Sequence, residues 1–177
     1  MTGLAEGLRA WDGKSTEALL EIHNRYKDES HFVARLLALA TVPGCGRAAT
    51  WLLKRHLQDG GSASEDETRK LLSLLRSEAE HWEVTLHCLQ CLPHLSLPRG
   101  SAATLRSDID RLIEHDRPFV RAWAYGGALT LARQDPDLGE WAERLCRAAW
   151  ITEPASVRAR LRQMGYSGGG KEKPPGQ

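Results

Sequence analysis

Residues 117–136 read RPFVRAWAYGGALTLARQDP and predict one helix with a broad apolar side. The opening of this stretch, Phe119-Val120-Arg121-Ala122, has echoes elsewhere in the chain. Val157-Arg158-Ala159 lies 37 residues after the matching Val120, and Val84-Thr85-Leu86 lies 36 residues before it. A period of this length with helical patterns throughout is typical of an α-solenoid, in which each helical hairpin covers its apolar face with the next. We therefore predict an all-α fold, a right-handed α–α superhelix of antiparallel helical hairpins.

The period places the repeats within a single α-solenoid domain over residues 1–165. Three hairpins and a terminal half repeat cover about 43–80, 81–117, 118–153 and 154–165. Residues 166–177 are rich in glycine, lysine and proline, a composition that cannot build a core. We expect this segment to be a disordered tail.

Local signals within the repeats predict where helices begin and where they pack closely. Ser64–Glu67 and Asp137–Glu140 both have the spacing of a capping box. Gly126 and Gly127 lie in the middle of a predicted helix, where each glycine costs about 1 kcal/mol relative to alanine. We expect the close approach of a neighbouring helix to compensate for this cost.

The composition is that of an ordinary globular chain, with 177 residues, 41% hydrophobic residues and a net charge of +1. This balance gives no overall field that would attract nucleic acid or an anionic membrane. The N-terminus lacks the pattern of a signal peptide, and no apolar run approaches the roughly 20 residues of a membrane span. We expect a cytoplasmic protein with reduced cysteines and no membrane contact.

Two segments resemble a known repeat signature. Asp116–Ala124, DRPFVRAWA, resembles the D-x-x-x-V-R-x-x-A pattern of HEAT-like repeats, which have the armadillo-type fold, and Glu153–Ala159 is similar with Glu in place of Asp. The chain departs from the pattern in the preceding units, where Thr85 and Gly46 replace the expected Arg and Val. The resemblance implies a helical scaffold used for binding. It also implies that Asp116 with Arg121, and Glu153 with Arg158, are structural pairs in a ladder between repeats.

One motif suggests metal or redox chemistry. His87–His94 reads HCLQCLPH, and a Cys-x-x-Cys with flanking histidines can supply tetrahedral zinc ligands. Cys88 and Cys91, however, lie in a predicted helix among leucines, where a free cysteine packs as a small apolar residue. We favour a core role over a zinc site or a redox pair. The sequence predicts no catalytic residues, no cofactor and no metal site.

Charge and tryptophan distribution indicate where a partner would bind. Residues 60–95 carry an excess of three acidic groups, whereas 117–165 carry an excess of three basic groups, all arginines. Packing and a solvated face account for many such residues, but arginine can also recognise carboxylate or phosphate. The candidate binding residues are Arg117, Arg121, Trp123, Arg144, Arg147, Trp150, Arg158 and Arg162.

These residues leave two main functional hypotheses, and a regulatory subunit or chaperone of an enzyme is a third that the sequence does not separate from the first. The favoured one is a non-enzymatic scaffold that binds another protein. The alternative is a nucleic-acid-binding helical-repeat protein, since DNA-alkylation-repair glycosylases are built from similar repeats and use a basic face with aromatic residues. The near-neutral net charge favours the protein partner, because phosphate binding normally requires a clear basic excess.

Overall fold

The computed structural model describes residues 2–77 and 81–168. Over these residues the chain is helical and contains no strand, which confirms the all-α prediction. The ten α-helices, labelled α1 to α10 in chain order, are Thr2–Ala10, Thr16–Tyr26, Phe32–Leu39, Gly46–Gln58, Glu65–Leu74, Trp82–Cys91, Ala102–Leu112, Pro118–Gln134, Gly139–Thr152 and Ala155–Gln163. Two short 3₁₀ turns cover Leu92–His94 and Pro136–Leu138.

One of the two predicted capping boxes forms. The Ser64 hydroxyl accepts a hydrogen bond from the Glu67 N–H, and the Glu67 carboxylate accepts one from the Ser64 N–H. The prediction at Asp137–Glu140 is wrong, since Pro136–Leu138 forms a 3₁₀ turn and α9 begins at Gly139 without a side-chain cap. Asp135 caps that turn instead, because its carboxylate accepts from the Asp137 N–H.

Contacts divide the chain into two compact units, a first unit up to Asp108 and a second unit from Ile109. The boundary falls inside α7. The single domain over residues 1–165 stays a prediction.

In the first unit, α4 packs against α2, α3 and α6, and α5 packs against α3 and α6. The core is built mainly from leucines on the inner faces of these helices, among them Leu36, Leu52, Leu53, Leu71 and Leu89. Cys88 and Cys91 are fully buried in the same core, as their leucine-rich surroundings predict.

In the second unit, α8 packs against both α9 and α10. A Cβ atom added at Gly126 would lie 2.3 Å from the Met164 sulfur, at the end of α10. The Met164 side chain therefore packs directly on Gly126, whereas the close approach of a helix expected at Gly127 stays a prediction. The core cluster of the unit consists of Ala122, Tyr125, Cys146, Ala149, Val157, Leu161 and Tyr166.

Tyr166 shows that the packed structure extends past the predicted end of the domain. Its ring is buried in the core cluster and its hydroxyl donates to Glu143 at 3.2 Å. The rest of the predicted tail from residue 169 onward lies outside the described residues. Among the described helices, none has the length and apolar character needed to cross a membrane.

Candidate binding groove in the second unit

An ion pair between the half-buried Arg121 and the buried Glu153 fixes the start of α8 in the second unit. Arg121 binds the Glu153 carboxylate through two parallel contacts, Nε to Oε1 at 2.8 Å and Nη2 to Oε2 at 2.9 Å. Its remaining nitrogen, Nη1, donates to the carbonyl oxygens of His115 at 2.9 Å and Asp116 at 3.2 Å. Arg121 therefore joins the segment before α8 to the segment between α9 and α10.

Glu153 is the centre of this network and is only 9% exposed. The Tyr125 hydroxyl donates to Glu153 Oε1 at 3.2 Å, and burial together with the nearby carboxylate raises the pKa of Tyr125. The tyrosine thus remains a donor at neutral pH. The hydrogen bond to Glu153 raises the pKa of Arg121, so the arginine stays charged.

The expected ladder pairs take a different form from the one implied. Within each motif the arginine binds the backbone carbonyl of the acidic residue, since Arg158 Nη1 donates to the Glu153 carbonyl at 2.8 Å just as Arg121 binds that of Asp116. The carboxylate contact instead runs from the arginine of one motif to the acid of the next, from Arg121 to Glu153. Arg121 and Arg158 therefore use protein oxygens as partners.

A groove of about 260 Å³ lies beside this network, between α8 and α10. We call it the α8–α10 groove. Its lining residues are Pro118, Phe119, Ala122, Trp123, Ser156, Ala159, Arg160 and Gln163, and none of them is acidic. The first two turns of α8 and one face of α10 form its walls.

The aromatic wall of the groove consists of Phe119 and Trp123, one helical turn apart on α8. Phe119 is 64% exposed, whereas Trp123 is half-buried. The guanidinium carbon of Arg160 lies 3.5 Å from the centroid of the Trp123 ring. This stacked arrangement combines cation–π attraction with burial of the arginine stem.

The half-buried Arg160 has few hydrogen-bonding and ionic partners for its positive charge. Its Nη1 donates to the Gln163 side-chain oxygen at 2.9 Å, but its Nε is buried without a hydrogen-bond partner. No ion pair joins Arg160 to any carboxylate in the described part of the chain. Burial lowers the pKa of Arg160, which is the direction expected for a cation without a counter-charge.

The remaining predicted site residues lie in several environments. Trp150 is half-buried, and its ring centroid lies 5.9 Å from that of Tyr166. Arg162 is exposed, and its guanidinium carbon lies 5.6 Å from the Trp150 ring centroid. Arg147 is exposed and pairs with Glu143 one turn earlier on α9. Arg144 is exposed on α9. Arg117 is exposed at the start of α8, where its N–H donates to His115 Nδ1.

Of the eight predicted residues, only Trp123 lines the groove. The two other residues that define its chemistry, Phe119 and Arg160, were not among the predicted site residues. The sequence could have indicated Phe119, because it is four residues from Trp123 and therefore on the same face of the helix, a different face from that of the buried Val120. Arg160 could not be distinguished by sequence from Arg158 and Arg162, its neighbours in an alternating run.

A larger concavity of about 770 Å³ lies in the first unit and includes Trp11, Arg47 and His81. Its arginine is already compensated, because Arg47 pairs with Glu83, donates to the Gly13 carbonyl at 3.2 Å and lies 5.2 Å from the Trp11 ring centroid. The cation of the α8–α10 groove lacks such a set of partners. We therefore place the candidate site in the second unit.

His87, Cys88 and Cys91 of the His87–His94 motif lie in the first unit's interior, whereas His94 is exposed. Burial raises the pKa of Cys88 to about 12 and that of Cys91 well above its ordinary value, and burial lowers the pKa of His87 to about 3. His87 Nδ1 lies 3.0 Å from the Thr50 hydroxyl. Thiols in this environment are poor nucleophiles, because the reactive form is the thiolate.

Comparisons with known proteins give no relative on which to base a function. No family model, no curated protein and no solved structure matches the chain. The functional inference therefore depends on the geometry of the groove.

Proposed function

We propose that this protein is a non-enzymatic, HEAT-like helical-repeat module that binds a segment of another protein in the α8–α10 groove. The observation that carries the proposal is the exposed Phe119 beside the stacked Trp123–Arg160 pair. Tryptophan and arginine are the residues most often found at the energetic centres of protein interfaces. A concave site with an exposed aromatic ring and an uncompensated cation is suited to such a contact.

The pattern of helix contacts supports a repeat architecture. Within the first unit, α2 packs on α4, α4 on α6 and α3 on α5, and within the second unit α8 packs on α10. Each of these pairs joins a helix to the next-but-one helix in the chain. Such pairs are expected where helical hairpins stack, since each repeat then contacts its neighbours.

The nucleic-acid alternative depends on the arginines of the second unit. Arg121, Arg147 and Arg158 already bind protein oxygens, so they are less available for phosphate. Affinity for nucleic acid grows with the number of phosphates that cations neutralise. We therefore favour a protein partner over nucleic acid.

Peptide selection tests the proposal. A phage-displayed library of random dodecapeptides would be selected on the full chain, and the affinity of a synthetic enriched peptide measured by fluorescence anisotropy. We expect Phe119→Ser and Trp123→Ala to weaken binding about tenfold or more, in line with interface hot spots. Ile151→Ser is the matched control, since Ile151 is 76% exposed on α9 and does not line the groove. Its affinity should equal that of the wild type.

Two results would contradict the proposal. One is a library that yields no enriched peptide, or peptides whose affinity is unchanged by Phe119→Ser. The other is tight binding to a fluorescent DNA duplex with a steep salt dependence that is lost in Arg144→Glu/Arg147→Glu, which would favour the nucleic-acid alternative.

A further inference from the structure

The α8–α10 groove carries a positive charge that the described chain does not neutralise. A guanidinium has five N–H donors, and among the described residues the Arg160 guanidinium makes a hydrogen bond to Gln163 alone. Other arginines of the second unit have oxygen partners, namely Arg121 with Glu153, Arg147 with Glu143, and Arg133 with the Met164 carbonyl at 2.7 Å. Arg160 thus differs from them in having donors to spare at the edge of an apolar surface.

Stacking on Trp123 prepares Arg160 for an anionic partner. The indole covers a face of the guanidinium, while hydrogen bonds to a carboxylate form in the guanidinium plane. Stacking also fixes the long side chain, which reduces the conformational entropy lost on binding. Arg121 shows the preferred chemistry in the same unit, since it holds the Glu153 carboxylate through two parallel contacts.

The apolar part of the groove adds a second requirement. Phe119, Trp123 and Ala159 offer a surface for an apolar side chain immediately beside the cation. No lining residue is acidic, so the carboxylate must come from the occupant. Resting on the proposed function, we infer that the partner segment carries an Asp or Glu next to a large apolar residue, with the carboxylate on Arg160 and the apolar side chain against Phe119 and Trp123.

The selected peptides test this chemistry. We expect enriched sequences to carry Asp or Glu within two positions of an aromatic residue or leucine. Replacing that acid by its amide in a synthetic peptide should weaken binding about tenfold, and Arg160→Gln in the protein should have the same effect. The two changes together should cost no more than either alone, because both remove one contact.

Charge reversal provides a gain of binding that misfolding cannot imitate. Arg160→Glu should bind a peptide with lysine in place of the acid better than it binds the original peptide. Arg144→Glu is the matched control, an exposed arginine on α9 outside the groove, and it should keep the wild-type preference. In an NMR spectrum of the indole N–H groups, the peptide should shift the Trp123 signal, which Trp123→Phe identifies.

The outcomes separate this inference from the proposed function. The inference of an acidic partner segment would be wrong if the enriched peptides lacked an acidic residue, or if Arg160→Gln left their affinity unchanged. Either result would still leave the groove as a binding site. A library without any enriched peptide would overturn both. Self-association of the chain that Phe119→Ser abolishes, measured by sedimentation velocity, would identify a second copy as the occupant and would also overturn the inference.

Discussion

Each unit buries a carboxylate beside an arginine, Asp108 with Arg76 in the first and Glu153 with Arg121 in the second, but the first unit also buries neutral histidines. In the first unit, His87 is buried with the Thr50 hydroxyl as its partner, and its imidazole is held neutral. In the second unit, Glu153 is buried with the charged Arg121 and the Tyr125 hydroxyl. Both units are built from packed helices, so the fold class does not determine which partners the buried polar side chains have.

A second pair of histidines extends the contrast. His23 is buried, and its ring centroid lies 5.9 Å from that of His56 and 6.0 Å from that of Phe32. Burial lowers the pKa of both histidines, and each imidazole lies against the Phe32 ring. We therefore expect mild acid to destabilise the first unit, and removal of the arginine that pairs with Glu153 to destabilise the second.

Removal of Arg121 should have the largest effect on the second unit. Arg121→Ala leaves the Glu153 carboxylate buried with Tyr125 as its side-chain donor. Breaking one side of a buried ion pair typically costs about 3–5 kcal/mol, because the remaining charge is uncompensated. Urea denaturation would measure the loss, and hydrogen exchange should locate it in residues 109–168.

The control for this prediction is Arg147→Ala. Arg147 forms an exposed pair with Glu143 on α9, and such pairs contribute little to stability. We expect its urea midpoint to match that of the wild type. Equal losses in the two variants would show that the Arg121–Glu153 pair is not a special contact.

Acid should act on the first unit. The pKa of His87 is about 3 in the folded chain against 6.5 for an ordinary histidine, so the unfolded chain binds more protons between these values. The free energy of unfolding is therefore highest above pH 6.5 and falls as the pH drops towards 3. At pH 5 the loss from His87 alone is about 2 kcal/mol, and His23 and His56 act in the same direction.

Urea denaturation at pH 7 and pH 5 would check this effect. His87→Gln should reduce the dependence on pH, whereas His94→Gln should retain it because His94 is exposed. Hydrogen exchange, corrected for its intrinsic pH dependence, should show the loss of protection in the first unit. A loss of similar size in the second unit would remove the contrast between them.

The smallest effect concerns the thiols, which report on each unit separately. All four cysteines are buried, with Cys45, Cys88 and Cys91 in the first unit and Cys146 in the second. We expect the native protein to resist N-ethylmaleimide at pH 7.5 and to take up four equivalents in denaturant, as mass spectrometry would show. In Arg121→Ala, Cys146 should react before Cys88 and Cys91. Rapid labelling of Cys88 in the wild type would contradict its assignment to the core.

Short-range patterns in the sequence predicted much of the helical structure. The Ser64–Glu67 capping box, the helix that begins at Pro118 and the buried leucines all depend on residues within about four positions, which a helix brings together by its own geometry. The Asp137–Glu140 box failed although its spacing was right, because Pro136 starts a 3₁₀ turn that Asp135 caps. Local spacing thus determines which capping contacts are available, and the backbone path selects among them.

The candidate site depended on contacts that spacing does not encode. Arg121 and Glu153 are 32 residues apart, and Trp123 and Arg160 lie on different helices. The sequence alone determined that the chain is helical, which helix faces are apolar and that arginines are concentrated near its C-terminal end. Only tertiary packing places Arg121 against a buried carboxylate, and Arg160 against an aromatic ring with no counter-charge among residues 2–77 and 81–168. The physical reason is that a side chain's charge is set by its type, whereas its compensation is set by the groups that folding places beside it.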